Sequence, residues 1–118
     1  MTQTGARGSF VRPLDAHAPL HWAAVALAAV SGVIHVYLGV VEGIPPFVVA
    51  GVGFFVGIAV FLTRFWRRLF YPVAAVFAFV QIALWLAGGM RFFTLGVVDK
   101  VVQAAFVVVV LYLYRVGE

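Results

Sequence analysis

His35 sits in the stretch Ser31-Gly32-Val33-Ile34-His35-Val36-Tyr37-Leu38-Gly39, inside an apolar run long enough to cross a bilayer. A polar side chain in hydrocarbon is costly, so it faces other helices or a wet cavity and finds a partner. Three side chains in other apolar runs are candidates: Gln81, Asp99 and Gln103. Asp99 and Gln103 are four apart and share a helix face. An imidazole beside a carboxylate can exchange protons, and a neutral imidazole can ligate haem iron. With aromatics such as Tyr37 and Trp85 nearby, it could also hydrogen-bond a quinone carbonyl. The plainer reading has His35 bonded to Gln81 or Gln103, fixing the register of packed helices.

Other chemistry is thin. The chain has no cysteine, which removes disulfides, thiolate metal sites and cysteine nucleophiles. His21 and His35 are fourteen positions apart, about 21 Å along a helix, so they cannot share one metal or haem within a protomer. A haem on a single histidine, or on a pair across a dimer, stays open; no metal site is assigned. His17 and His21 are expected beside lipid headgroups, and Glu42 is expected as a solvated loop charge. No nucleophile and base pair up around Ser31, so hydrolysis is disfavoured and the reading leans away from an enzyme.

The elements that must position these residues follow from composition. Of 118 residues, 65% are hydrophobic and 10% charged, with a mean hydropathy of +1.14. A soluble domain of this size could not cover itself with so little polar surface. The apolar residues come in blocks, which predicts an all-α integral membrane protein in the cell membrane. The net charge of +4 is small and placed at block ends, which suits lipid headgroups and not nucleic acid.

Residues 1–19 read as a polar tail, with Phe10 and Val11 near the headgroups. Four spans are predicted at about 20–41, 46–63, 69–87 and 95–114. A signal peptide is the rival for the first, since Arg7 and Arg12 precede an apolar run and Ala26-Leu27-Ala28 could be cut. The run continues well past that point. Glu42-Gly43-Ile44-Pro45-Pro46 stops one helix and starts the next. Gly88-Gly89 ends the third, and Thr94 is the expected N-cap of the fourth.

Short connections predict an up-down-up-down bundle. Arg7, Arg12, Arg64, Arg67, Arg68 and Arg115 fall on one side, and Arg91 on the other. The positive-inside rule then places both termini in the cytoplasm, with Arg64, Trp66, Arg67, Arg68 and Arg115 as cytoplasmic anchors. In that frame His35, Gln81 and Gln103 each lie about 9 Å below the outer boundary. Asp99 is expected in its helix's first turn, favoured by the macrodipole, where it could pair with Arg91 or Lys100 across the loop. Lys100, adjacent to it, is expected to snorkel outward.

Facing supports convergence. Ala24, Ala28, Ser31, His35 and Gly39 form a stripe of mostly small residues on the first span. Ala74, Ala78, Gln81, Trp85 and Gly88 do the same on the third. Gly32, Gly39, Gly53 and Gly57 are the expected points of close helix approach. The prediction is one polar cluster of His35, Gln81, Asp99 and Gln103, open toward the extracytoplasmic side.

The runs Gly32-Val33-Ile34-His35-Val36-Tyr37-Leu38-Gly39, Gly51-Val52-Gly53-Phe54-Phe55-Val56-Gly57 and Asp99-Lys100-Val101-Val102-Gln103, with the ending Tyr112-Leu113-Tyr114-Arg115, resemble small four-span membrane proteins of unknown function from haloarchaea. The likeness covers the four spans and implies no activity. A looser similarity to DoxX-like four-span proteins lies in size and topology. The expected function is a non-enzymatic accessory subunit of a larger membrane complex, or a homo-oligomeric bundle. Two alternatives are a small proton-coupled transporter or channel using His35 and Asp99, and a redox protein binding haem or quinone. No broken helix or inverted repeat supports transport.

Overall fold

The computed structural model describes residues 18–117; the predicted tail, with Phe10, Val11 and His17, lies outside them. The described chain is built of four helices: α1 (Ala18–Val41), α2 (Pro45–Phe61), α3 (Phe70–Ala87) and α4 (Phe93–Arg115). Three of them, α1, α3 and α4, are long and apolar enough to cross a membrane. The fourth, α2, is apolar but has 17 residues, about 25 Å at helical rise and a little under one hydrocarbon thickness.

Burial is arranged for an apolar solvent. Inside, alongside large side chains such as Phe54, Tyr71, Phe106 and Leu113, lie small and polar ones, among them Ala24, Ala28, Ser31, Ala78 and Gln103. Outside lie Val33, Val49, Val73, Phe79, Leu84 and Val108, each more than half exposed. Water would penalise that surface heavily, whereas lipid leaves it neutral.

The seam between α1 and α2 is made by glycine. Gly39 lies against Val48, and Gly51 lies against Gly32 and Val36, so the two helices run in opposite directions. A Cβ on Gly51 would sit 2.7 Å from the Gly32 carbonyl oxygen; only a bare backbone fits there. Helix α4 packs on both α1 and α3, while α2 and α3 stand apart. Aromatic side chains reach across that gap, with Phe77 against Gly53 and Phe54. The bundle therefore has three closed seams and one cleft.

Three local expectations are corrected. Helix α2 ends at Phe61, before Thr63, because the Thr63 hydroxyl donates to the Val60 carbonyl and accepts from the Phe65 N–H, competing with the helix ladder. Helix α4 begins at Phe93, and its N-cap is Phe92, in the left-handed region, not Thr94. Asp99 therefore lies well beyond the first turn, and the macrodipole does not account for it.

Candidate functional site

The polar side chains meet where α1, α3 and α4 converge. Ser31 and His35 project from one face of α1, one turn apart. Asp99 and Gln103 do the same on α4. All four are buried, with Ser31, Asp99 and Gln103 at 1% exposure or less. Ser31 Oγ donates to Asp99 Oδ1 at 2.5 Å. Gln103 Nε2 donates to Ser31 Oγ at 3.2 Å and to Gln81 Oε1 at 2.9 Å. Gln81 on α3 donates its own amide to the Phe77 carbonyl. One network thus ties three helices together and contains His35, Gln81, Asp99 and Gln103.

Its centre is a pair of residues that the sequence reading undervalued. Ser31, seen there as one small residue in a stripe, is the hub that bonds both Asp99 and Gln103. Its signal was its position four before His35. Lys100 does not snorkel away: its Nζ donates to Asp99 Oδ2 at 2.5 Å, with its side chain mostly buried. Adjacent Cβ atoms on a helix diverge, but a four-carbon stem is long enough to fold back.

The tautomer of His35 follows from its partners. Its Nδ1 lies 2.9 Å from the Ser31 carbonyl oxygen, which can only accept, so Nδ1 carries the proton. Nε2 then faces Asp99 Oδ2 at 3.7 Å. Ser31, His35 and Asp99 have the composition of a hydrolytic triad without its wiring. In a triad the serine gives its proton to the imidazole, and the carboxylate holds the opposite ring nitrogen. Here the serine donates to the carboxylate itself, and its oxygen is buried. The set holds structure and charge; it does not present a nucleophile.

Beside the network opens the cleft between α2 and α3. Its polar half encloses about 280 Å³, lined by His35, Phe47, Gln81, Trp85, Arg91 and Lys100 among others. Its other half, of similar volume, is lined by Gly53, Gly57, Ile58, Phe70, Val73 and Phe77 and is almost wholly apolar. Gly53 is one turn from Ala50 on α2, and Phe77 one turn from Gln81 on α3, so the two halves are neighbours along the helices, with the Phe77 ring against Gly53 and Phe54 at that level. The loop over the polar half is under strain: Met90 and Phe92 both have positive φ, unfavourable for side chains of their size. Trp85 holds it, donating its indole N–H to the Arg91 carbonyl at 2.9 Å. Lys100 Nζ lies 5.7 Å from the Trp85 ring centre.

Other candidates fall elsewhere. Tyr37 is 54% exposed and does not line the cleft. Gly32 and Gly39 lie in the α1–α2 seam and Gly53 lies under Phe77, whereas Gly57 has no atom within 4 Å of where its Cβ would stand. Arg68 donates to the Tyr114 carbonyl at 2.6 Å and stacks on its ring, closing the end of α4. Trp66 packs inward on Phe61 and Tyr71. Arg64, Arg67 and Arg115 are exposed. His21 is not at a headgroup surface: it is 1% exposed and packs beside Phe61. Among the described residues, no group of three or more His, Asp or Glu could hold a metal ion.

A family model matches residues 6–114, nearly the whole chain, and the protein belongs to that family, described as a family of unknown function (DUF7475). The match bears out membership of an uncharacterised family and says nothing of a haloarchaeal origin. No curated protein and no solved structure matches the chain.

Proposed function

We propose that this member of the DUF7475 family is a non-enzymatic, multi-pass membrane protein that receives one amphiphilic molecule of the bilayer in the cleft between α2 and α3. In this reading all four helices span, both termini are cytoplasmic, and the polar half of the cleft faces outward. The carrying observation is the lining of the cleft: both ends are mostly apolar, and His35, Gln81, Arg91 and Lys100 line one end alone. Ligand sites are typically concave and mostly apolar, with a few convergent polar groups that fix orientation. The buried network would then serve as the rigid floor of the site. A role as an accessory subunit suits a chain whose described residues outside the helices are a few short connections.

Gly57→Leu is the test variant, because Gly57 lines the apolar half and a Cβ there has no atom within 4 Å. Native mass spectrometry on protein gently extracted from its own membrane should show an adduct of amphiphile mass in the wild type and its loss in Gly57→Leu. A bare wild-type chain, or equal retention by both, would overturn the cleft reading. Cytoplasmic termini are checked separately, by fusing the C-terminus to a reporter that is active on one side of the membrane.

A further inference from the structure

Which amphiphile the cleft takes can be argued from what its polar half leaves unpaired; the step rests on the cleft reading above. We infer that the occupant is a phospholipid with a net negative phosphate headgroup, held by Lys100 and Arg91. Most polar groups at that end are paired with one another, the buried Gln103 Oε1 being an exception. Asp99 Oδ1 accepts from Ser31 and Oδ2 from Lys100, and the carboxylate is 1% exposed. Gln81 accepts from Gln103 and donates to the Phe77 carbonyl. Trp85 donates to the Arg91 carbonyl. His35 Nδ1 is held by the Ser31 carbonyl, and its Nε2 is turned to Asp99.

What remains toward the cleft is donor and cation. An ammonium has three N–H groups and a guanidinium five. Lys100 uses one of its three on Asp99. The Arg91 guanidinium lies over the Phe92 ring, with no carboxylate within 4 Å among the described residues. Glu42, exposed in the α1–α2 loop, does not line the cleft. Two cations thus face one buried carboxylate: Lys100 is paired with Asp99, and the exposed Arg91 guanidinium has no carboxylate partner among the described residues. An anion at this end of the cleft can pair with it. Phosphate oxygens suit this set, since both cations bind them readily.

The apolar half fixes the rest of the molecule. From Ala50 to Phe61 the α2 wall runs eleven residues, about 17 Å. That is room for an extended acyl chain and far more than a small anion needs. The chain lies on the bilayer side of Phe77, and a second chain rests on the exposed apolar face of α3, at Val73, Val76 and Val80. A zwitterionic headgroup brings its own cation to a site that already has one too many.

The test titrates the full chain in detergent with phosphatidylglycerol, phosphatidylcholine of the same acyl chains, and a neutral quinone, read by native mass spectrometry. Phosphatidylglycerol should bind about tenfold tighter than phosphatidylcholine, the effect of one charge-assisted contact. Arg91→Gln and Lys100→Gln should each erase most of that preference, while Lys100→Arg keeps it. Arg91 is exposed, so its variant reports even if Lys100→Gln unfolds. Equal binding of the two phospholipids, a preference untouched by Arg91→Gln, or tighter binding of the quinone overturns the headgroup assignment. If Gly57→Leu weakens all three ligands in that case, the cleft reading stands without it; if Gly57→Leu changes none, both fall.

Discussion

The two halves of the α2/α3 cleft have similar volume and the same flanking helices, yet opposite construction. The polar half is tied by directional bonds: Asp99, Ser31, Gln103, Gln81 and Lys100 each constrain another. The apolar half is assembled from Gly53, Gly57, Val73, Ala74 and Phe77, whose contacts are non-directional and can shift. In lipid, apolar burial gives little drive for helices to associate, so polar bonds and close packing must hold the bundle. Rigidity should therefore concentrate at one end of the cleft and tolerance at the other.

Substitutions can break or sharpen that contrast. The largest effect is expected from Asp99→Ala, which leaves Lys100 unpaired in a mostly buried position and removes the partner of Ser31. Losing one side of a buried pair costs about 3 kcal/mol or more, read as a loss of thermal stability in detergent. Asp99→Asn, which keeps an acceptor for Ser31, should lose less. Next comes Gly51→Val in the α1–α2 seam. Its Cβ would meet the Gly32 carbonyl and the Val36 N–H, so the helices must part at a cost of about 1–3 kcal/mol. Gln103→Leu removes the bonds to Ser31 and Gln81 and should cost about 1 kcal/mol. Smallest is Gly57→Leu in the apolar half, expected within about 0.5 kcal/mol of wild type. If Gly57→Leu destabilises as much as Asp99→Ala, the contrast between the halves is wrong.

Much of this was legible in the sequence, for physical reasons that can be named. Block hydropathy reports helices directly, because a backbone in lipid must satisfy itself. The four predicted segments accordingly correspond to the four helices, within about two residues at each end. The i, i+4 spacing and similar distances from the loops point to a meeting of His35, Gln81, Asp99 and Gln103, and in the structure they fall within one network. What escaped depends on side-chain reach and on unlike neighbours. Lys100 is a possible partner of Asp99 from the sequence, but its Cβ direction favours an outward course, whereas its ammonium end follows a flexible stem to Asp99. Tyr37 was read as near His35 because it is near in sequence, but two residues along a helix turn it to the opposite side. The cleft itself left no mark, since nothing in an apolar run says which two of four helices stand apart.

Photolabelling by a phospholipid carrying a diazirine in its acyl chain tests the central claim most directly. Reconstituted protein should be labelled predominantly along the cleft walls, around Gly53, Gly57, Val73 and Phe77, with that labelling lost in Gly57→Leu. Labelling spread evenly over the exposed faces, with Val33 and Tyr37 on α1 marked as strongly as the cleft and Gly57→Leu without effect, would contradict it.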